Sequence, residues 1–540
     1  MTHHARLQAN WPIAIGCADW YDKVCLSRTY VLRHGGTTES TEDSRTEGPK
    51  DLIERSPTAG RQHRVVVIGG GLAGLTTAHR IQERIATLRR PAEVVVLEAK
   101  DRIGGVISTE RRDGFILEGG PDAFITNKPW GIDLCRRLGL AEQLIETDPT
   151  HRRSFVVRNG QLAPVPEGFV LMAPHRILPI LTTPVLSWRG KLRVLMDLLI
   201  PRRDQDSEES LASFVRRRLG REALERLVQP LVGGIYTGDP GDLSLKATFP
   251  QYLAMERDHG SLILAARKQR SLHRTADRLA SGARYGMFVS LVDGMGTLPQ
   301  ALAASLPTGW IQTDSTVRRL SKSGTGNTWL VELLDGQALE ADAVIVTTEA
   351  HATARMIDGA DPQMALQLRA IPYASSVIVN AAYRRDQIQH PLDGFGAVVP
   401  AIENRGVLAI SFSSVKFPNR APAGTALFRV FIGGATQPEL FDLEDEALGE
   451  LVAHELGELI GVRGEPLLFQ IARHPRAMPQ YILGHLDRVA AIRRRLARHS
   501  GLFLTGIAFD GVGIPDCIHA AENTADAVLD SLANPATAAA

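Results

Sequence analysis

Gly69, Gly71 and Gly74 stand in G-x-G-x-x-G spacing directly after the apolar run 65–68, and Glu98 closes a second apolar run at 94–97. The pattern predicts a strand, a tight turn, a helix and a second strand that ends on an acid. Each glycine has a separate duty. The first permits the turn, the second lets backbone approach a pyrophosphate, and the third lets helix and strand pack closely. The helix opens with unpaired N–H groups and the positive end of its dipole facing the phosphates. A carboxylate at Glu98 can accept both hydroxyls of an adenosine ribose. These residues describe a dinucleotide site and leave NAD and FAD both open.

Arg102, Gly104 and Gly105 follow at once in the string EAKDRIGG, where a base and paired glycines suit a backbone running beside a diphosphate. Val317, in the strand-like segment WIQTDSTVRRL, joins the cofactor-contact candidates. Near the C-terminus Gly506, Gly511 and Gly513 precede Ile514, Pro515 and Asp516 and a helix from about Cys517. That is a second glycine-lined helix start, suited to an anion or to a flavin edge. Two such sites at opposite ends of one chain imply a long dinucleotide in a discontinuous domain. FAD fits this better than NAD, because a flavin must be held at both its adenine and isoalloxazine ends.

The elements that position these residues fall into an α/β plan. At 540 residues the chain exceeds one core, and such a length suggests about three or four domain-sized units. After the nucleotide unit, HRRSFVVRNGQLAPVPEGF reads as strands and turns. Residues 187–268 read as mainly helical, with Leu211, Phe214, Val215, Leu219 and Leu224 at helical spacing and Arg216, Arg217 and Arg218 solvating the other face. A helix and mixed-sheet strands follow from Phe288, the section 375–435 is strand-rich, and a further helix begins near Leu443. His474 and Arg476, in HPRAMPQY, read as a loop whose polar groups make structural hydrogen bonds.

Composition narrows the class. A net charge of +1 gives no reason to expect nucleic acid. The cysteines Cys17, Cys25, Cys135 and Cys517 are scattered without a C-x-x-C pair, which fits a reducing cytoplasm and argues against a zinc site. There is no secretory h-region and no long apolar run, so a membrane span is not expected. Residues 1–62 read as a disordered N-terminal extension, too acidic for a mitochondrial presequence.

Beyond EAKDRIGG, which resembles the flavin amine-oxidase superfamily, longer strings resemble one branch of it, the protoporphyrinogen/coproporphyrinogen III oxidases of haem biosynthesis. These are GFILEGGPDAFITNK, SWRGKLRVLMDLLIPR, QPLVGGIYTGDPGDLSLKATFP, DGMGTLPQAL, RAMPQYILGH and GVGIPDCI, and the likeness runs from about 64 to 535. The resemblance implies a flavoprotein that dehydrogenates a porphyrinogen and passes the electrons to O2. It implies a Rossmann-type FAD-binding domain in three parts (64–145, 286–350 and 495–535). A mixed-sheet substrate domain would take 146–185 and 351–494, and a helical subdomain 186–285. The family's helical part often touches a membrane surface, so a peripheral membrane contact stays open, as does an oligomer.

Such chemistry needs no Ser/His/Asp or metal cluster, and none is evident; no catalytic residue is assigned beyond the flavin N5 that accepts hydride. The pocket should be apolar with basic groups at its rim for propionates. Lys128, Arg152 and Arg153 are the rim candidates, although Ser154 stands at the position aligned with the family's arginine. Tyr236, in GGIYTGDP, is the candidate to pack near the ring. Coproporphyrinogen III carries four propionates; protoporphyrinogen IX carries two, with vinyls in the other places. Lys128 and the bacterial character of the strings favour the first. A different flavin oxidase, acting on amines or carotenoids, is the remote alternative: the C-terminal loop offers only Phe509 where an aromatic pair would be expected.

Overall fold

Two neighbouring valines in the first strand face opposite sides of one sheet, and both are fully buried. Val65 and Val67 pack under helices, while Val66 and Ile68 pack against a second sheet. This is the signature of a parallel sheet covered on both faces. The computed structural model describes residues 51–52, 62–87, 92–203, 207–268, 287–324 and 328–533. Most of the stretch 1–62 lies outside them, although Asp51 and Leu52 pair in parallel with Gln337 and Ala338.

The nucleotide sheet has five parallel strands in the order Ile311–Gln312, Ala92–Leu97, His63–Ile68, Ala343–Val346, Leu502–Leu504. They come from widely separated parts of the chain. Helix Leu72–Arg84 links the first two in sequence and lies against the last helix, Ile514–Ala533, which starts three residues before Cys517. Arg80 and Arg84 both reach Asp526 across that contact, at 3.0 and 2.7 Å. The two helices that begin at the glycine segments are therefore neighbours.

A seven-stranded mixed sheet stands beside this unit: Leu468–Pro479, Tyr373–Arg384, Thr425–Gly433, Ala409–Phe412, Gly396–Val398, Phe155–Arg158 and Gln161–Pro164. One face packs on helix Asp445–Ile460. Residues 474–476 belong to its longest strands and not to a loop, which corrects the reading of HPRAMPQY. Pro475 cannot donate to a ladder. The pairing therefore shifts register opposite Ala374 and Ser376, and Arg476 takes a left-handed φ of 45°.

The region 187–268 is helical as expected, with Leu211, Phe214, Val215 and Leu219 fully buried. Of the arginine triplet Arg216 is exposed as expected, but the other two turn inward. Arg218 is fully buried and bonds Asp197, and Arg217 bonds Glu209 and Glu256. Buried charges survive only when paired. The acids that pair with them lie 8 to 39 residues away, beyond the reach of a single helix's periodicity.

Candidate functional site

The turn at 69–74 is closed by backbone. Gly69 N–H donates to Leu97 O at 2.8 Å, Gly104 N–H to Gly70 O at 2.8 Å, and the Thr347 hydroxyl to Ile68 O at 2.9 Å. Gly69 has φ 109°, open only to glycine at little cost. A Cβ on Gly74 would lie 1.8 Å from Gly69 O, so the third glycine is demanded by helix-to-turn packing. Gly71 differs: a Cβ there would meet only Gly105 Cα, at 3.8 Å. Its backbone faces open space, and helix Leu72–Arg84 begins beside it with no side-chain cap and no acid in its first turn.

Glu98 is buried, and its carboxylate accepts from Gly70 N–H at 2.7 Å and Lys100 N–H at 2.9 Å. Gly70, which the spacing argument passes over, is thus the glycine that Glu98 needs: a Cβ on it would lie 2.9 Å from the Glu98 Cβ. The exposed Arg102 guanidinium folds onto its own turn, donating to Ile103 O and Gly105 O. Ser315 N–H donates to Glu98 O at 2.8 Å, which brings Val317, at the start of strand Val317–Lys322, to the same end of the sheet.

At the other end of the chain, Gly506 and Gly511 have φ of 133° and 125°. The Tyr481 hydroxyl donates to Ile507 O at 2.7 Å and accepts from Gly511 N–H at 2.9 Å. Gly513 O accepts from Cys517 N–H, and Ile514 opens the helix. Asp516 sits in its first turn with Lys128 Nζ at 2.5 and 2.7 Å from its oxygens. A carboxylate paired with Lys128 thus already complements this helix start.

Between the two sheets runs the segment 118–122, from the string GFILEGGPDAF. Three adjacent strands of the seven-stranded sheet each supply a side chain to one of three consecutive carbonyls. Asn380 donates to Glu118 O at 3.2 Å, His474 Nε2 to Gly119 O at 2.6 Å, and Arg429 to Gly120 O. A carbonyl only accepts, so Nε2 of His474 carries the proton; burial holds that imidazole below its usual pKa. Asp122 pairs with Lys416 at 3.0 Å and Arg429 at 3.1 Å. Burial alone would raise its carboxyl, but Lys416 and Arg429 hold it well below the usual carboxylate range. Glu118 goes the other way: burial raises it despite bonds from Thr109 and Met295 N–H. Among these, only the EGGP string is visible in sequence; its partners are isolated polar residues in apolar strands.

The structure brings Lys128 and Tyr236 to the C-terminal loop and leaves Arg152 and Arg153 apart from it. Arg152 faces Glu146 at 3.6 Å and Arg153 faces Asp393 at 3.2 Å, both on the surface. Tyr236 is buried against Phe249 and Tyr481, with ring centroids 5.6 and 6.1 Å away. Burial and the nearby Asp516 charge both push its phenol upward, so it stays protonated. Among the described residues no group of His, Cys, Asp and Glu could hold a metal ion.

The family described as flavin containing amine oxidoreductase matches residues 72–529. The chain belongs to this family. It is similar to the coproporphyrinogen III oxidase of Bacillus subtilis, 35% identical over 466 residues that cover 85% of this chain and 96% of the relative. It is also similar to the enzyme of that name from Propionibacterium freudenreichii, 36% identical with 92% and 95% covered. The chloroplastic protoporphyrinogen oxidase 1 of Spinacia oleracea is 31% identical, with 86% and 84% covered. Among solved structures, a putative protoporphyrinogen oxidase from Exiguobacterium sp. 255-15 superposes with a TM-score of 0.76 at 28% identity, covering 88% of this chain and all of its own. This family member is an oxidoreductase of α/β fold with FAD as its cofactor. Its residues fit that cofactor: the uncapped helix start at Leu72 and the open space before Gly71 leave room and N–H donors for a pyrophosphate.

Proposed function

We propose that this flavoprotein dehydrogenates coproporphyrinogen III to coproporphyrin III in haem biosynthesis, with O2 as the electron acceptor. Six electrons and six protons leave the macrocycle in three two-electron rounds, and three O2 become three hydrogen peroxide. The observation that carries this reading is the likeness to two bacterial proteins named coproporphyrinogen III oxidase over almost their whole length. FAD, when bound, supplies the hydride acceptor at N5. Gly71, with Arg102, Gly104 and Gly105, would cradle the diphosphate on the turn that Gly69 and Gly74 shape, and Glu98 would hold the ribose. The loop from Gly506 to Gly513, with Ile514, would border the ring, and Val317 would line the adenine side. Segment 118–122, clamped by Asn380, His474 and Arg429, would hold the substrate sheet at a fixed distance from the flavin. Residues 64–145, 286–350 and 495–535 would make up the cofactor domain, 146–185 and 351–494 the substrate domain, and 186–285 the helical part.

Protoporphyrinogen IX is the second reading, and one observation favours it. Lys128, Arg152 and Arg153 each already face an acid, so none stands ready for an additional propionate. The work of recognising propionates therefore does not rest on these three alone. We assign the protein to the cytoplasm. No helix among the described residues is long and apolar enough to cross a membrane. A peripheral contact is supported by Leu178, Trp188, Leu192 and Leu199, which are 70, 65, 53 and 82% exposed.

The test is direct. The purified full chain should carry flavin absorbance and develop porphyrin fluorescence under air with coproporphyrinogen III faster than with protoporphyrinogen IX. The reverse preference exchanges the two substrates. Flavin without porphyrin formation from either refutes the porphyrinogen reading.

A further inference from the structure

Gln480 and Tyr481 directly follow the strand Leu468–Pro479, and both are buried. Their side chains go to different walls. Gln480 Nε2 donates to the carbonyl of Tyr236 at 2.9 Å, the last residue of helix Gln229–Tyr236. The Tyr481 hydroxyl spans the glycine loop, giving its proton to Ile507 O and taking one from Gly511 N–H. The Tyr481 ring stacks on His485 at 4.0 Å and leans on the Tyr236 ring.

Something outside the loop has to close it. Two of its glycines hold positive φ, and a chain with that freedom is costly to order. One phenol oxygen pins it on both sides of Phe509, at residues four apart. Half-buried backbone groups that lose such a partner bear part of the desolvation cost of being unpaired.

We propose that Tyr481 is the positioning residue of the flavin-side loop and that its neighbour Gln480 separately positions the helix carrying Tyr236 on the porphyrinogen side. The inference rests on the function proposed above. It separates two parameters that a general loss of folding would move together. Tyr481 sets how the cofactor edge is held, and Gln480 sets the substrate wall.

Tyr481→Phe removes one oxygen and keeps the ring. The full-length apoprotein variant should melt within about 3 °C of wild type. Its FAD dissociation constant, read by flavin fluorescence on titration of the apoprotein, should rise about tenfold, the scale of one or two hydrogen bonds. In the loaded enzyme kcat should fall while KM for the porphyrinogen stays. Gln480→Met should do the converse, raising KM about tenfold with FAD affinity unchanged. Wild-type FAD affinity in Tyr481→Phe overturns the proposal. So does an equal loss of both parameters in both variants with a fallen melting temperature. A wild-type chain that takes up no FAD refutes the function reading itself. One that binds FAD and oxidises no porphyrinogen refutes only the substrate, and the comparison of dissociation constants still decides this inference.

Discussion

The two glycine segments that begin neighbouring helices are built in opposite ways. The turn at 69–74 is held mainly by backbone, through Gly69 to Leu97 and Gly104 to Gly70, with the Thr347 hydroxyl on Ile68 O. The loop at 506–513 is held by side chains, the Tyr481 phenol on Ile507 and Gly511 and the Lys128 ammonium on Asp516. Backbone donors are common to every residue, so a glycine pattern is enough to announce the first. The second depends on which side chains arrive there, and no local pattern names them. A diphosphate needs fixed N–H groups, which the first arrangement provides. A flavin ring that would have to meet the substrate is better served by the second, because Tyr481 ties its wall to the end of strand Leu468–Pro479.

The largest effect is expected from Gly74→Ala. Its Cβ would fall 1.8 Å from Gly69 O and 3.0 Å from Thr347 Oγ1. That overlap admits no side-chain rearrangement, since its nearest atom is backbone. Urea unfolding should show a loss of about 3 kcal/mol or more, and the protein should purify without flavin. Gly71→Val should be milder in one respect and as complete in another. The new side chain finds open space in the free protein, so the apoprotein should lose only about 1 kcal/mol, for a poor helix cap. FAD binding should vanish all the same, because that space is where the pyrophosphate would lie. Retained flavin in Gly71→Val, or an equal stability loss in both variants, would erase the distinction between packing glycine and approach glycine.

The same contrast explains what the sequence made legible. Strand, turn, helix and acid at 65–98 could be read because the turn glycines, Leu97 and Glu98 all fall within that one stretch. The strand-rich section 375–435 and the helical region 187–268 were legible from periodicity. Four things were not. Arg218 looked like a solvated charge, because nothing local announces Asp197 and Glu256. His474 and Arg476 looked like loop residues, because Pro475 hides the strand that a register shift rescues. Asn380, Arg429 and Tyr481 are single polar residues in buried segments, and their duties appear only when three strands meet the string EGGP or a loop meets a phenol. Gly70 was overlooked for a different reason. The fingerprint counts the glycines that serve phosphate, and Gly70 serves Glu98.

The smallest effect, and the sharpest test of how far the C-terminal loop reaches toward substrate, is Lys128→Met. Its ammonium bonds both oxygens of Asp516 in this structure, and its side chain is 38% exposed. The lysine end is open to water while the Asp516 side chain is 15% exposed, so the pair is partly screened and unfolding should shift by about 1 kcal/mol. Asp516 would keep its place in the first turn of helix Ile514–Ala533, where the dipole favours a carboxylate. With the lysine committed to Asp516, KM for coproporphyrinogen III and for protoporphyrinogen IX should change by the same factor. A selective rise for coproporphyrinogen would mean that Lys128 leaves Asp516 for a propionate when substrate arrives. The loop would then be held by a residue that the substrate itself can take away. Tyr481, which exchanges no charge with substrate, would remain as the fixed half of the closure.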